Sequence, residues 1–319
     1  MLTRTIKRGL DKRITQTCRN YQRPIPAGKL PVYDLALEVL AEDKKRVQRE
    51  LQQLRSDKRE RNAVDQKEYE KRIKLLEILE GSNDPEVRYN FENGNVDMSK
   101  PYYRYLAEKD FLRGGRKDKL LERLHQMNVV PDVVPPFTPS VELVLDFPKD
   151  EQAEGESAVR PVIAGSFVRP GLSFDKPSIG IKIFDGRESL YSLLIVDPDV
   201  PDADNEKYTN YLHFLKSNLK LSANTTKEEL EKQLESATVG WIPPHPAQGT
   251  KYHRYTVLLV EQTNEIQPSD VERHGFDSRK YVESMNGRVV GGHMWRAVHD
   301  ADSSKVFKEI LKINEPIYK

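Results

Sequence analysis

The stretch YSLLIVDPDVPDADNEKYTNYLHF (Tyr191–Phe214) decides the fold class of this chain. Its first residues, YSLLIV, form a nearly continuous apolar run, as is typical of strands that are buried on both faces. The run ends abruptly, because Pro198 holds Asp197 in an extended conformation and Pro201 cannot donate to a neighbouring strand. We therefore expect a rigid loop at the end of a strand, and a following strand that brings His213 back beside it.

A second stretch, GWIPPHPAQGTKYHRYTVLLVEQ (Gly240–Gln262), has the same organisation. Prolines and Gly249 precede His253, and TVLLV then forms another apolar run. Two acids, Asp197 and Asp199, and two histidines are therefore expected at the ends of central strands.

Four interpretations of this cluster follow from the residue types alone. Histidine and aspartate are metal ligands, although acids two residues apart match no specific zinc spacing. A carboxylate that orients a histidine suits acid–base catalysis, but a nucleophile with a local motif such as G-x-S-x-G is missing. Imidazole N–H groups, together with backbone amides, can bind an anion. The fourth interpretation is a buried polar network that fixes two loops.

The sequence around these stretches, residues 138–319, reads as mainly β with small peripheral helices. One helix is expected after Thr226, which has capping-box spacing to Glu229, and another in SSKVFKEILKI near the C-terminus. Alternating apolar residues predict two further strands, with these inward-facing positions: Val141, Leu143, Leu145 and Phe147, then Ile179, Ile181 and Ile183.

Two separated signatures give this part of the chain a family resemblance. DPDVP followed by His213, and later Pro-Pro…Gly-Thr-x-x-His-Arg-Tyr leading to Val-Glu-Gln, resemble the phosphatidylethanolamine-binding protein family over roughly 138–312. The resemblance implies an antiparallel β sandwich with Greek-key character, a non-enzymatic role without metal or cofactor, and a shallow pocket for a small anion or phosphate head group. The pocket residues that it implies are Asp197, Asp199, His213, Pro244, His253 and Tyr255.

The chain departs from the family pattern around this pocket. The loop WIPPHPAQGTKYHRY is longer than the family's segment, Ile242 replaces a glycine, and Lys251-Tyr252 replaces a small-apolar pair. The family's tryptophan near the histidine is absent, and Tyr211 or Phe214 is expected to substitute for it. We therefore predict a pocket that was inherited with the fold and is now mainly architectural.

The N-terminal part of the chain is strongly charged. Residues 1–33 carry seven basic residues up to Arg23 against one acid, Asp11, and Leu2, Ile6, Leu10 and Ile14 recur every fourth residue. This pattern is typical of a mitochondrial targeting segment (transit peptide), with a basic RNA-binding or disordered tail as the alternative. Residues 34–98 read as a charged helical extension with a narrow apolar seam that includes Val47 and Leu51, which suits a partner surface or a solvated hairpin.

Residues 99–137 combine aromatic and basic side chains and end in a proline-rich linker. Basic groups neutralise phosphates and aromatic rings stack on unpaired bases, so this segment is the predicted RNA contact. The alternative is an amphipathic helix with buried aromatic residues. The RNA-contact candidates are Tyr102, Tyr103, Arg104, Arg113, Arg116, Lys117, Lys119 and Arg123.

The composition of the 319 residues limits the function classes further. The formal net charge is +1, so RNA binding has to come from local patches. Cys18 is the only cysteine, which excludes a disulfide framework and a thiolate metal site. No apolar run approaches the roughly 20 residues of a membrane-spanning helix, so no membrane span is predicted.

The N-terminal features together resemble the mitochondrial large-subunit ribosomal proteins that are built on this fold. YYRYLAEKDFLRGG and MNVVPDVVPPFTPSVELVLDF carry that resemblance. It implies a structural constituent of the large ribosomal subunit in the mitochondrial matrix, which supports mitochondrial translation and contacts large-subunit rRNA and neighbouring ribosomal proteins. The alternative is a free regulator of the binding-protein family that binds an anion or phospholipid head group. The domain boundaries predicted from the sequence are 1–33, 34–98, 99–137 and 138–319.

Overall fold

The computed structural model describes residues 21–57, 63–267 and 271–318. The chain divides into two compact units, Met1–Asp97 and Met98–Lys319, and each has a hydrophobic core of its own. The repeating apolar positions of the predicted targeting segment, Leu2 to Ile14, lie outside the described residues.

The first unit is a helical hairpin followed by a short helix. Helix α1 begins at a proline, whose fixed φ and missing N–H suit the first turn of a helix. The hairpin closes around three buried side chains, Val47 and Leu51 of α1 and Leu76 of α2. Ion pairs join the two helices, among them Arg55–Glu77 at 2.6 Å and Arg72–Glu50. The helices are α1 (Pro31–Ser56), α2 (Ala63–Ser82) and α3 (Pro85–Glu92).

The second unit begins with three helices and continues into two antiparallel sheets. Gly115, with a φ of +72°, makes the left-handed turn between the first two of these helices. The helices are α4 (Pro101–Arg113), α5 (Arg116–Gln126), α6 (Val129–Asp132), α7 (Lys227–Glu235), α8 (Ser278–Ser284) and α9 (Ala301–Lys305), which continues as a π-helix over Val306–Leu311. The strands are β1 (Val141–Asp146), β2 (Ser178–Ile183), β3 (Ser189–Asp202), β4 (Lys207–Leu221), β5 (His253–Gln262) and β6 (Arg288–Ala297).

The strands pair in the order β1-β2 in one sheet and β4-β3-β5-β6 in the other. β3 therefore lies between β4 and β5, and all of these pairings are antiparallel. The predicted antiparallel sheets with peripheral helices are confirmed. The capping box at Thr226 forms as expected, since its hydroxyl accepts from the Glu229 N–H and the Glu229 carboxylate accepts from the Thr226 N–H.

Both faces of the central strands β3 and β5 are buried, which explains their continuous apolar runs. Leu193 and Ile195 pack on one face against β1 and β2. Leu194 and Val196 pack on the other face, where α5 and the residues that follow it supply Leu120, Leu124, Val129, Val130, Val133 and Val134. The segment that the sequence reads as an extension and linker thus contributes one wall of the core. No helix in the described ranges is long and apolar enough to cross a membrane.

Candidate functional site

The strand order brings the predicted acids and histidines to one end of the sheet. Asp197 is the buried carboxylate of β3, and His253 begins the neighbouring strand β5. On the other side of β3, Val196 pairs with Leu212 and Asp197 with Tyr211, so that His213 of β4 lies beside them. The side chains of Asp197 and His253 are almost completely buried, each with 2% exposure.

His253 is held between two partners that use both of its ring nitrogens. Nδ1 lies 2.7 Å from Oδ2 of Asp197, and Nε2 lies 3.1 Å from Oγ1 of Thr250. Because the Thr250 hydroxyl donates its single proton to the carbonyl of Ala247, its oxygen can only accept from Nε2. Both ring nitrogens therefore carry protons, and the ring is an imidazolium. Burial alone would lower the pKa of His253, but the charge and hydrogen bond of Asp197 outweigh it and raise the pKa.

Asp197 is satisfied in the same way. Its Oδ1 accepts the backbone N–H of Asp199 at 2.8 Å, while Oδ2 accepts from His253. Burial alone would raise the pKa of Asp197, but the charge and hydrogen bond of His253 lower it below the usual aspartate range. The two residues thus form a buried imidazolium–carboxylate pair whose hydrogen-bonding groups are engaged inside the protein.

His213 has the opposite protonation state. It is fully buried, and its Nδ1 donates to the carbonyl of Ile242 at 2.7 Å. Burial, and the neighbouring His245, lower the pKa of His213 to about 3, so the ring is neutral. Its Nε2 then carries a lone pair and has no hydrogen-bond partner among the described residues. An anion needs a donor, so His213 presents the wrong group for one.

His245 completes a cage of rings that sequence reasoning did not select as part of the site. Its ring centroid lies 5.2 Å from that of His213 and 5.1 Å from that of Phe307. Tyr211 packs edge-on against His213 at 5.1 Å, and Trp241 lies 6.1 Å away. The signal in the sequence was a histidine between prolines in PPHP, a rigid loop that can press a ring into a core.

The tyrosine and proline of the predicted pocket are structural neighbours of the cage. Tyr255 is fully buried and stacks on Trp295 with a centroid distance of 5.3 Å. Burial, and the charge of Asp197, raise the pKa of Tyr255 well above its usual value. Pro244 is buried in the loop between β4 and β5. Phe214 was the predicted alternative to Tyr211 beside His213. It lies instead in the core on the other face of β4, with the ammonium group of Lys176 over its ring.

Asp199 faces away from His253 and binds Arg254 instead. Its two carboxylate oxygens accept from Nε and Nη2 of Arg254 at 2.8 and 2.7 Å, and Oδ2 also accepts the Arg254 backbone N–H. The guanidinium reaches further, to the carbonyl of Met127 at 2.7 Å and to Asp132 at 3.0 Å. Burial opposes the charge on Arg254, but these carboxylates outweigh it and raise its pKa. This network fastens the α5–α6 connection to the sheet.

The C-terminal segment closes the loop that carries His245. The backbone N–H of Tyr318 donates to the carbonyl of Gln248 at 2.9 Å, and the carboxylate of Glu315 accepts from the Gln248 N–H at 3.1 Å. Gly249 has a φ of +88°, and a Cβ there would lie 1.8 Å from the carbonyl oxygen of Tyr318. Only glycine fits at this point, so the loop and the tail are built to meet.

The RNA-contact candidates do not form one basic array. Tyr103 is buried with 6% exposure, and Arg104 donates to the carbonyls of Met98 and Ser99 at 2.8 Å. Two of the arginines pair with acids of the same unit, as Arg116 does with Asp110 and Glu142, and Arg123 with Glu156. The other candidates are exposed or half-buried: Tyr102, Arg113, Lys117 and Lys119. The assignment of RNA contacts to this segment stays a prediction.

No group of three or more histidine, cysteine, aspartate or glutamate side chains within residues 21–57, 63–267 and 271–318 is arranged to hold a metal ion. Most hydrogen bonds of the cluster close on one another, while His213 Nε2 and the buried hydroxyl of Tyr255 have no hydrogen-bond partner among the described residues. Chemically, this arrangement fixes loops, and it offers an incoming anion no free N–H from either His253 or His213.

Comparison with known proteins gives similarities both for the part of the chain that carries this cluster and for most of the chain. Residues 150–299 match the sequence profile of the family described as phosphatidylethanolamine-binding protein. The chain is 25% identical over 247 residues to "Large ribosomal subunit protein mL38" of Schizosaccharomyces pombe, which covers 76% of this chain and 77% of that protein. It is 27% identical over 166 residues to "CEN-like protein 1" of Nicotiana tabacum, covering 51% and 84%, and 29% identical over 159 residues to "Protein FLOWERING LOCUS T" of Arabidopsis thaliana, covering 50% and 79%.

Solved structures give two further similarities. A carboxypeptidase Y inhibitor complexed with its cognate proteinase matches with a TM-score of 0.44 and 17% identity, covering 58% of this chain and 97% of that one. A phosphatidylethanolamine-binding protein from Plasmodium vivax matches with a TM-score of 0.41 and 17% identity, covering 56% and 97%. By sequence, residues 150–299 are similar to the phosphatidylethanolamine-binding protein family, and over most of its length the chain is similar to a large ribosomal subunit protein.

Proposed function

We propose that this chain is a structural component of the large subunit of the mitochondrial ribosome, where it supports translation in the matrix without a catalytic role. The observation that carries the proposal is the extent of the similarity to the fission yeast ribosomal protein. That match of 247 residues is longer than the stretch 150–299, so it includes chain outside the binding-protein domain. The matches to the plant proteins, 166 and 159 residues, are close to the length of that domain.

The site supports an architectural role for the family pocket. His253 donates to Asp197 and to Thr250, and Asp197 also accepts the backbone N–H of Asp199. His213 is neutral, so its Nε2 can only accept a hydrogen bond. A free regulator that binds anions or phosphate head groups needs donors that stay available to the ligand. We also interpret the two sheets, which share one core, as a β sandwich with Greek-key connections.

The remaining parts of the proposal concern the N-terminal part of the chain. Residues 1–33 act as the targeting segment, and residues 34–137 contact large-subunit rRNA and neighbouring ribosomal proteins. The exposed apolar side chains of α1 support a protein contact: Val32, Leu35 and Val39 are 75%, 60% and 56% exposed and lie three and four residues apart, on one side of the helix.

Sedimentation tests the proposal directly. A mitochondrial lysate is run through a sucrose gradient at low magnesium, and the fractions are probed for this chain. We expect comigration with the free large subunit that survives a high-salt wash. A peak at the top of the gradient, near the 36.8 kDa monomer, would contradict the proposal and favour the anion-binding regulator.

A further inference from the structure

An arginine held between two exposed aromatic rings lies on the outer side of the sheet. The guanidinium carbon of Arg296 is 4.0 Å from the ring centroid of Phe167 and 5.1 Å from that of Tyr252. The two rings lie 6.0 Å apart and almost perpendicular to each other. Phe167 is 39% exposed and Tyr252 is 40% exposed, so both rings remain accessible beside the sheet. We call these three residues the aromatic–arginine patch.

The strand register explains why these residues meet. Arg296 of β6 pairs directly with Arg254 of β5, so the two side chains project from the same face. Tyr252 lies two residues before Arg254, and Phe167 forms a parallel bridge with Arg296. His253 lies between Tyr252 and Arg254 and points into the protein. The patch therefore faces the other side of the sheet from the histidine cage.

The two neighbouring arginines differ in their partners. Arg254 is neutralised by Asp199 and Asp132. Arg296 donates through Nε to the carbonyl of Gly165 at 2.6 Å, and within the described ranges no carboxylate pairs with it. Its planar head is thus fixed by two rings and a carbonyl, while its terminal N–H groups keep their capacity to bind an anion bidentately.

The sequence departs from the family pattern at the aromatic–arginine patch. Lys251-Tyr252 stands where the resemblance to the binding-protein family leads one to expect a small-apolar pair, and Lys251 is exposed beside the patch. The departure adds one positive charge and one exposed ring at the same point.

We propose that the aromatic–arginine patch, with Lys251, is a contact site for an unpaired nucleotide of RNA. An exposed ring face stacks on the base, and the free N–H groups of Arg296 with the ammonium of Lys251 bind a phosphate. An acidic peptide would match the charges but would leave two exposed rings without a planar partner. The identification of the RNA as large-subunit rRNA rests on the proposed function.

Ultraviolet cross-linking of purified large subunits, followed by mass spectrometry of the peptides, tests the contact. We expect a nucleotide adduct on Tyr252 or Phe167. A chain that sediments with the large subunit but carries no adduct on either ring would overturn this inference while the proposed function stands. A chemical cross-link from Lys251 to a neighbouring protein would do the same.

Binding of a fluorescently labelled single-stranded uridine oligonucleotide to the purified full chain gives a second readout that does not depend on the ribosome. We expect Tyr252→Ala to weaken binding by about five- to 160-fold, the range for loss of one stacked base. Arg296→Gln is expected to weaken binding as well, because the phosphate loses a charged donor. Arg288→Gln is the matched control, since Arg288 lies exposed on the same strand and pairs with Glu261. Circular dichroism checks that the variants are folded.

Equal affinity of the wild type, both patch variants and Arg288→Gln would contradict the inference, as would equal binding of a duplex of the same length. If the chain fails to sediment with the ribosome but loses oligonucleotide binding in the patch variants, the proposed function is wrong and the patch remains an RNA site.

Discussion

The two carboxylates of the Asp-Pro-Asp-Val-Pro segment lie two residues apart but belong to different sides of the sheet. The sequence predicts a loop here, but the segment lies within β3, whose pairing with β4 resumes at Val200 after a register shift and continues to Asp202. Asp197 points inward and pairs with His253, whose charge depends on pH. Asp199 points outward and pairs with Arg254, which stays charged at every accessible pH. One segment of β3 is therefore fixed by a titratable ion pair on the inside and by a permanently charged ion pair on the outside. The inner pair joins β3 to the start of β5, and the outer pair, through the contact of Arg254 with Asp132, joins β3 to α6.

Removal of the inner cation is expected to have the largest effect. His253→Ala leaves Asp197 charged, buried and without its partner, so we expect the free energy of unfolding to fall by about 3–5 kcal/mol. Urea unfolding followed by tryptophan fluorescence measures this, because Trp241 and Trp295 both lie in the second unit. The matched control is His274→Ala, at an exposed histidine, which is expected to change stability by less than about 0.5 kcal/mol. Equal stability of the two variants would show that the inner pair contributes nothing.

Removal of the outer cation should cost less. In the Arg254→Gln variant, Asp199 keeps some access to water, since its side chain is 18% exposed, and we expect a loss of about 2–3 kcal/mol. Arg288→Gln serves as the control, because its pair with Glu261 is exposed and is expected to contribute at most about 1 kcal/mol. If Arg254→Gln destabilises the chain as little as the control does, the outer network does not hold this end of β3 in place.

The pH dependence of stability distinguishes the two pairs. The pKa of His253 is raised in the folded state, so its contribution is fully present below the unfolded value of about 6.5 and is lost as the pH rises through the folded pKa. We expect the free energy of unfolding of the wild type to decrease above about pH 6.5. Asp197→Asn should abolish this decrease, whereas Arg254→Gln should keep it. Urea unfolding across the alkaline range is the measurement, and an identical slope in all three proteins would contradict the assignment.

The neutral histidines have the opposite effect on stability, because they destabilise the folded chain as the pH falls. Burial lowers the pKa of His213 to about 3 and that of His293 to about 4, so the unfolded chain binds protons that the fold excludes. Their contribution is present above about pH 6.5 and is lost as the pH falls toward those folded values. Together with His253, this predicts a stability maximum close to pH 6.5. Replacement of His293 by Gln should flatten the acid limb and leave the alkaline limb unchanged.

The smallest expected effect is that of phosphate. Because His253 has no free N–H and His213 is an acceptor, we expect isothermal titration of the purified chain with phosphate or a phosphorylated head group to give no micromolar binding. The control is the same titration with His253→Ala. Micromolar binding to the wild type that this variant loses would show that the region around Asp197 and His253 is a working anion site.

Local sequence patterns were sufficient for the strands, but they did not determine which histidine pairs with which acid. The continuous apolar runs predicted β3 and β5 because strands with both faces buried leave no room for polar alternation. The sequence predicted Asp197 and His253 at the ends of central strands, and the antiparallel pairing of β3 with β5 brings these two residues together.

The side on which Asp199 lies could not be predicted in the same way. Residues i and i+2 of a regular strand share a face, but the pairing of β3 with β4 shifts register between Asp197 and Val200. This bulge breaks the alternation and turns Asp199 toward Arg254. His245 was missed for a different reason, since its loop takes its path from contacts with Glu315 and Tyr318, which lie far away in sequence.

The hydrogen bonds from Arg254 to Met127 and Asp132 also determine when α5 and α6 can become stable during folding. Arg254 follows Asp132 by 122 residues and Met127 by 127 residues. During synthesis, α5 leaves the ribosome first, and its apolar side chains Leu120 and Leu124 have no sheet to cover until β3 and β5 have formed. Contacts of such long sequence separation slow folding, because the chain between them must be ordered before they form. The second unit is therefore expected to fold late and in one step, with α5 exposed to chaperones until the last central strands are in place.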